Sequence, residues 1–572
     1  MLEQIIGRLN VKGKPLGDWS KHIVDTLLSN GNYQSFNSTN KEFSIFGSTL
    51  YSSKPQVTFG KTSVVSLVGD LCITPGRQGI EDILSEDQSP STIIPRFRQL
   101  LDNTNGTFVI VTYDAHGGLL IATDSLGARP LFYAMDDDTL YFSTSMSLLL
   151  QSYPGTHSVD IKALAEQLAF SCPLGSRTIS SAVSVLCDGQ YILAENGQLR
   201  VDRYHDWRTS LPVNGAWQQQ LTECANAFNQ AMDARIQNTA MQNVLLSGGL
   251  DSRMIAAKLR DMGKTVLAAN CSAINTQDHH YCLEFAKVAS IDVVWAPWTV
   301  DLIKESANAT TAAVLSRITA RLPVGKVFSG DGGGELFGFL DLSKEVLDQL
   351  KEHGLENVIH QLASNGQISK HIVTEEFSSQ LEGLAHKGIS AELDAMGSAD
   401  PQKKLQLFFL LNELRCHLHG YFSSLDPAAQ ELLLPFYDRR VINSTIRIAP
   451  PFDSFRGHQF YCQLLSMVSP LIETVPWQSY PGAIAGPVVD SEVTDSQWVY
   501  LNKTKASRAR YWRKAALRIA FTNSRRCYRK YRILFLVSVD LLTGQDFSYH
   551  FCQLVVINQV LKTLSLKNTS KP

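Results

Sequence analysis

The stretch NVLLSGGLDS, residues 243–252, decides how this chain is read. Asn243-Val244-Leu245-Leu246 is a short apolar run of the kind that forms a buried strand, and it ends in two adjacent glycines. A helical pattern then begins at Asp251. Glycines between a strand and a helix let backbone N–H groups face an anion with no Cβ in the way, and the helix start adds partial positive charge. Ser247 and Ser252 offer hydroxyl donors, and Asp251 suits a Mg²⁺ ion that in turn grips phosphate. Strand, Ser-Gly-Gly-x-Asp-Ser, then helix is the pattern of a loop that cradles pyrophosphate in enzymes splitting ATP between its α and β phosphates. It differs from the P-loop, whose G-x-x-x-x-G-K-[ST] pattern is missing from the sequence. The competing reading is a glycine-rich turn with a capping aspartate.

Outward from this loop, strands and helices alternate. A helix is expected over 215–238, strands over 244–246, 265–271, 292–297 and 326–330, and helices from Asp251 to about Met262 and Gln277 to Ser290. That order implies a parallel sheet covered on both faces, with ligands beyond the carboxyl ends of its strands. Residues 400–470 read as mostly helical. Before residue 206 the texture is β-rich, with strand-like runs at 107–113, 118–123, 130–134 and 139–143. The aspartates between them, including Asp136, Asp137 and Asp138, read as hairpin turns rather than metal ligands. The expected units are 1–205, 206–490 and a C-terminal extension, 491–572.

Bulk properties narrow the function classes. The 572 residues exceed what one core supports; 44% are apolar and 19% charged, with a formal net charge of −2. Such a balance gives no reason to expect nucleic acid or anionic membrane as the main partner. Ten scattered cysteines without C-x-x-C or His-rich spacing argue against a disulfide framework or metal cluster and fit a reducing compartment. The N-terminus lacks the apolar segment of a signal peptide, and no run reaches the ~18–20 residues of a membrane span, so a cytoplasmic protein is expected. The longest apolar run, Ile533 to Val539, is cut short by Asp540. The charge anomaly is the segment 503–532, which holds twelve lysines and arginines and no acid. It reads either as a helix solvated against the rest of the protein or as a contact for an anionic partner.

The sequence resembles the asparagine synthetase family, whose relatives include β-lactam synthetases and lasso-peptide cyclases. GTFVIVTYD (106–114) with LLIATDSLGARPLFYA (119–134), VLLSGGLDS (244–252) and FSGDGGGELFGF (328–339) carry the resemblance in the family's order and spacing, and LLPFYDRR (433–440) is similar to a later landmark. The resemblance covers roughly residues 1 to 490 and implies an α/β protein of two parts. The first is an αββα sandwich of the Ntn glutamine amidotransferase type. The second is a doubly wound parallel-sheet ATP-pyrophosphatase domain, like the adenine nucleotide α-hydrolases. It implies ATP and Mg²⁺, activation of a carboxylate as its adenylate, and displacement of AMP by ammonia or an amine. Leu246, Ser247, Gly248, Gly249 and Ser252 would bind the phosphates and Asp251 the metal. Asn270, Ser329 and Gly330 would meet the other end of the nucleotide, and Asp331 would assist the amine or position the acyl group.

Three departures stand out. Glutamine-using members expose an N-terminal cysteine, whereas this chain begins Met1-Leu2-Glu3, and Val68-Gly69-Asp70 stands where they hold glutamine with Asn-Gly-Glu. If Met1 is the start, the first domain is expected not to hydrolyse glutamine; Cys72, mid-chain, reads as a small buried hydrophobe. Gly334 stands where a second Mg²⁺-binding aspartate is expected, leaving Glu335 as the nearest carboxylate. No lysine occurs near Tyr480, where the family places one against the phosphate. Three readings stay open: an amide-forming ligase using ammonia or a substrate amine, a tailoring enzyme closing a ring with an internal amine, and a nucleotide-binding member without turnover. A homodimer is left open, as are the substrates.

Overall fold

A computed structural model describes residues 5–16, 34–39, 42–49, 57–59, 63–73, 90–114, 118–210, 212–213, 215–236, 239–302, 307–337, 344–364, 371–424, 430–448, 459–477, 505–522 and 527–565. The chain start, the segment around Tyr480 and part of 503–532 fall outside them.

Among the described residues, twelve strands precede residue 206: β1 Ile5–Asn10, β2 Gln34–Thr39, β3 Phe43–Thr49, β4 Val57–Phe59, β5 Ser63–Ile73, β6 Thr104–Asp114, β7 Leu119–Thr123, β8 Phe132–Asp136, β9 Thr139–Ser143, β10 Ser184–Val185, β11 Gln190–Glu195 and β12 Gln198–Arg203. They form two six-stranded sheets, ordered β10-β8-β9-β1-β3-β2 and β12-β11-β7-β6-β5-β4. Alternation decides the layers. Along β6, Val109, Val111 and Tyr113 face the other sheet beside Ile5, Leu9, Phe43 and Ile45. Phe108 and Ile110 point the opposite way, onto Phe97 and Leu101 of the helix Pro90–Leu101. The helix Met146–Ser152 covers the far side of the first sheet through Leu149 and Leu150. The result is the expected helix–sheet–sheet–helix sandwich. The β8–β9 turn carries Asp137 at φ 48°, and Asp138 pairs with Lys12 at 2.8 Å, which accounts for those acids.

The second unit is built on β13 Met241–Leu245, β14 Thr265–Ser272, β15 Asp292–Pro297, β16 Gly325–Phe328 and β17 Gln430–Leu433, all parallel, in the order β15-β14-β13-β16-β17. Residues 400–470 are mostly helical, as expected, and the fifth strand interrupts them: Gln430–Leu433 is a fully buried run of four, too short for periodicity to separate from a helix. The strand order reverses between β13 and β16, and a doubly wound sheet opens its binding crevice at such a reversal. The helix expected near 215–238 spans Trp217–Asp233 and buries Leu221, Cys224, Phe228 and Met232 in the core this sheet shares, packed on the helices Arg439–Ile446 and Gln459–Val468.

Beyond residue 504 the chain forms helices Lys505–Thr522, Lys530–Thr543 and Ser548–Ser565. The apolar run Ile533–Val539 lies within one of them, with Ile533, Leu536 and Val537 buried and Phe535 exposed. These helices share a core with Leu164 and Ala165 of the helix Ile161–Phe170 and with Phe377 and Leu381. Arg510, Lys514, Arg518, Lys530 and Arg532 stay exposed, and Arg513 pairs with the buried Asp540. None of the described helices is long and apolar enough to cross a membrane.

Buried ion pairs tie the sandwich to the parallel sheet. Asp70 of β5 lies 3.4 Å from Arg235 and 3.1 Å from Lys326, and Arg235 reaches Asp438 at 2.7 Å. Arg129 pairs with Glu431 of β17. Cys72 is buried beside Asp70, and burial pushes its thiol up to about 12, the behaviour of an inert small residue rather than a nucleophile.

Candidate active site

Ser247 to Ser252 follow β13, and Ser329 to Glu335 follow β16, so the two motifs sit side by side at the strand-order reversal. In the first, Ser247 is exposed at the tip. Its backbone N–H donates to Ser252 Oγ at 2.9 Å, and its hydroxyl accepts from Gly249 N at 3.1 Å, which fixes a tight loop. Gly248 donates its N–H to Asp278 Oδ1 at 2.8 Å. The helix Leu250–Asp261 starts after Gly249 with no side-chain cap, so its first amides keep their capacity for an anion.

The second motif fits against the first through absent side chains. A Cβ on Gly330 would lie 2.3 Å from Ser252 N. One on Gly333 would lie 2.8 Å from both Asp251 Cγ and Tyr461 Oη. Gly334, where a carboxylate was expected, instead donates its backbone N–H to Asp251. Tyr461 donates its hydroxyl to Asp251 Oδ1. Burial pushes the Asp251 carboxyl up to about 6 against these two hydrogen bonds, with Asp331 adding repulsion. Burial raises the Tyr461 phenol above its usual range, and the negative charges of Asp251 and Glu335 add to that rise. Among the described residues no basic side chain pairs with Asp251. A partly buried carboxylate with acidic neighbours and no counter-cation is the donor set that Mg²⁺ takes up, so the residues fit the ion.

Asp331 occupies the other flank. Its Oδ1 accepts from Tyr421 Oη at 2.9 Å and lies 3.2 Å from His417 Nε2, and its Oδ2 accepts from Tyr437 Oη at 3.0 Å. Burial opposes its charge, but His417 and the three hydrogen bonds outweigh that and hold the carboxyl below its usual range. The remaining site candidates act at one remove. Asn270 is buried and donates its amide to Leu246 O at 2.8 Å, supporting the loop from beneath. Ser329 is buried, with its hydroxyl accepting from Asp331 N at 3.3 Å.

Sequence reasoning missed Asp278, His417, Tyr421, Tyr437, Tyr461 and Arg253, which come from segments remote in the chain or lack a motif of their own. Arg253 is fully buried and donates to the carbonyls of Gly248, Ile472, Val475 and Pro476, with its guanidinium 5.1 Å from the ring centre of Phe285. Burial lowers it to about 10. It fastens the loop to residues 472–476, at the edge of the segment around Tyr480.

The family model for the glutamine amidotransferase domain matches residues 97–205, and that for asparagine synthase matches residues 223–459. Asparagine synthetase B [glutamine-hydrolyzing] of Escherichia coli (strain K12) is 24% identical over 273 residues, spanning 42% of this chain and 44% of that protein. Among solved structures, the glutamine phosphoribosylpyrophosphate (PRPP) amidotransferase from B. subtilis complexed with ADP and GMP aligns over 57% of this chain and 74% of its own at 10% identity, with a TM-score of 0.23. One family model falls on the sandwich and the other on the parallel sheet that carries this site, in that order along the chain, and with the Escherichia coli relative they support an asparagine synthase-like family.

Proposed function

We propose that this protein is an ATP-dependent ligase that activates a carboxylate as its acyl-adenylate and joins it to ammonia or an amine, releasing AMP and pyrophosphate. The observation that carries the reading is the docking of Gly330 and Gly333 against Ser252 and Asp251, which brings two loop motifs to one point of the sheet. Ser247, Gly249 and the first amides of the helix Leu250–Asp261 would hold the phosphates, and Asp251 with Glu335 would hold Mg²⁺. Bound there, the ion supplies positive charge beside the departing pyrophosphate. Gly248, anchored by Asp278, sets the height of the loop, and Arg253 holds the wall behind it. On the opposite flank, Tyr421 and Tyr437 orient Asp331, and Asp331 orients His417 as the group able to accept a proton from the attacking amine.

A ring-closing version, with the amine inside the same substrate, draws support from Asp70. Its carboxylate stands where relatives are expected to hold glutamine, yet it is occupied by Arg235 and Lys326. An internal amine needs no glutamine-derived ammonia. The test is to supply ATP, Mg²⁺ and a metabolite or peptide extract and to measure AMP and pyrophosphate. Extract-dependent formation of both, lost in Asp251→Asn, supports the ligase. ADP as the product, or no turnover beside intact ATP binding, excludes it.

A further inference from the structure

We infer that Glu356, His360 and His386 form a binding site for a divalent transition-metal ion, separate from the nucleotide site. Glu356 and His360 are one helical turn apart on the helix Lys344–Ser364, which breaks at Gly354 (φ 78°) just before them. An i, i+4 pair faces one way from a helix. His386 comes from the helix Leu384–Ala395 beside it. The ligand atoms of the three residues all lie within 4.8 Å of one another. His386 Nε2 is 3.0 Å and His360 Nε2 3.6 Å from the same oxygen, Glu356 Oε1, and the imidazole ring centres are 4.5 Å apart. Ligands about 2.0–2.1 Å from a tetrahedral zinc are separated by roughly 3.3 Å, so these gaps need only small side-chain adjustments to close on an ion.

Two imidazole nitrogens and one carboxylate oxygen select zinc, cobalt, nickel or copper over magnesium, and three protein ligands leave a coordination position for water. Glu356 and His360 are exposed and His386 half-buried, so the ion enters from solvent without moving the core. Its effect would be to clamp the two helices. The second helix also carries Glu392, 3.3 Å from Arg177, and Gly388, whose missing side chain leaves room for Glu166. A bound ion would therefore stiffen the helical segment where it rests on the helix Ile161–Phe170.

The test uses the full-length protein stripped with a chelator and titrated with ZnCl₂ against a chromophoric competitor. The expected result is one equivalent of zinc bound, a zinc-dependent rise in Tm that Mg²⁺ does not produce, and visible absorption bands with Co²⁺ in the same site. His360→Ala with His386→Ala should weaken zinc binding by more than about 100-fold, and Glu356→Gln by at least about tenfold. Because the positions lie at the surface, the variants should keep the metal-free Tm. Zinc binding that is undiminished in the double variant, or no stoichiometric binding by the unsubstituted protein, would overturn the inference.

Discussion

The carboxyl carbon of Asp251 lies 2.8 Å from where a side chain on Gly333 would begin, so the metal-holding residue of one motif is seated by a missing atom in the other. Gly333→Ala is therefore expected to push the loops apart. Overpacking of this kind costs about 1–3 kcal/mol. The measurement is Tm together with Mg-ATP affinity, and affinity should fall further than stability, because Asp251 is displaced directly. Equal ATP binding by the variant would show that the close approach has no bearing on the site.

The pH dependence of stability follows from Asp251 and Asp278, both raised by burial to about 6 from an ordinary 3.8. The folded state keeps protons that the unfolded chain releases. The corresponding stability is complete below the unfolded value of about 4, declines as pH rises, and is gone above the folded value of about 6. Denaturant titrations without divalent ions should show that decline between those values. Mg²⁺ with ATP should restore stability at pH 7 and do little at pH 5, where the carboxyls are protonated. Asp251→Asn should remove part of the decline.

Arg235 is buried between Asp70 and Asp438. Arg235→Ala removes the cation shared by two buried carboxylates, and because Asp70 keeps Lys326 and Asp438 keeps Arg440, the cost should lie below the roughly 3–5 kcal/mol of a fully stranded buried charge. Urea unfolding should show that loss, and Asp438→Asn should lose less because it removes a charge instead of stranding one. A variant within about 0.5 kcal/mol of the parent would contradict the role assigned to this contact.

Arg253 donates to four carbonyls on two segments. Arg253→Met keeps much of the volume but leaves those acceptors unpaired, at about 1–3 kcal/mol for each one that water cannot reach. Limited proteolysis should then cut near residues 472–477 faster than in the parent, while cleavage within the described strands of the sandwich stays unchanged.

Much of this was legible in the sequence because the signals are local. Alternation in TFVIVTY names both faces of β6, and SGGLDS marks a strand end by its glycines. The strand Gln430–Leu433 was hidden because four consecutive buried residues have no period. Gly334 reads as a lost carboxylate in one dimension; in three, its amide takes the place of a side chain beside Asp251. The partners of Asp331 come from positions 417, 421 and 437, brought together only once β17 joins the sheet. Likewise, a scan for spaced histidines passes over His360 and His386, which lie on separate helices.

The most direct measurement is a calorimetric titration of the protein with ATP, with and without Mg²⁺, repeated on Asp251→Asn. The expected result is Mg²⁺-dependent binding at one site, weakened by at least about tenfold in the variant, since an amide cannot replace a metal-bound carboxylate. Absence of ATP binding, or binding that Asp251→Asn leaves unchanged, would contradict it.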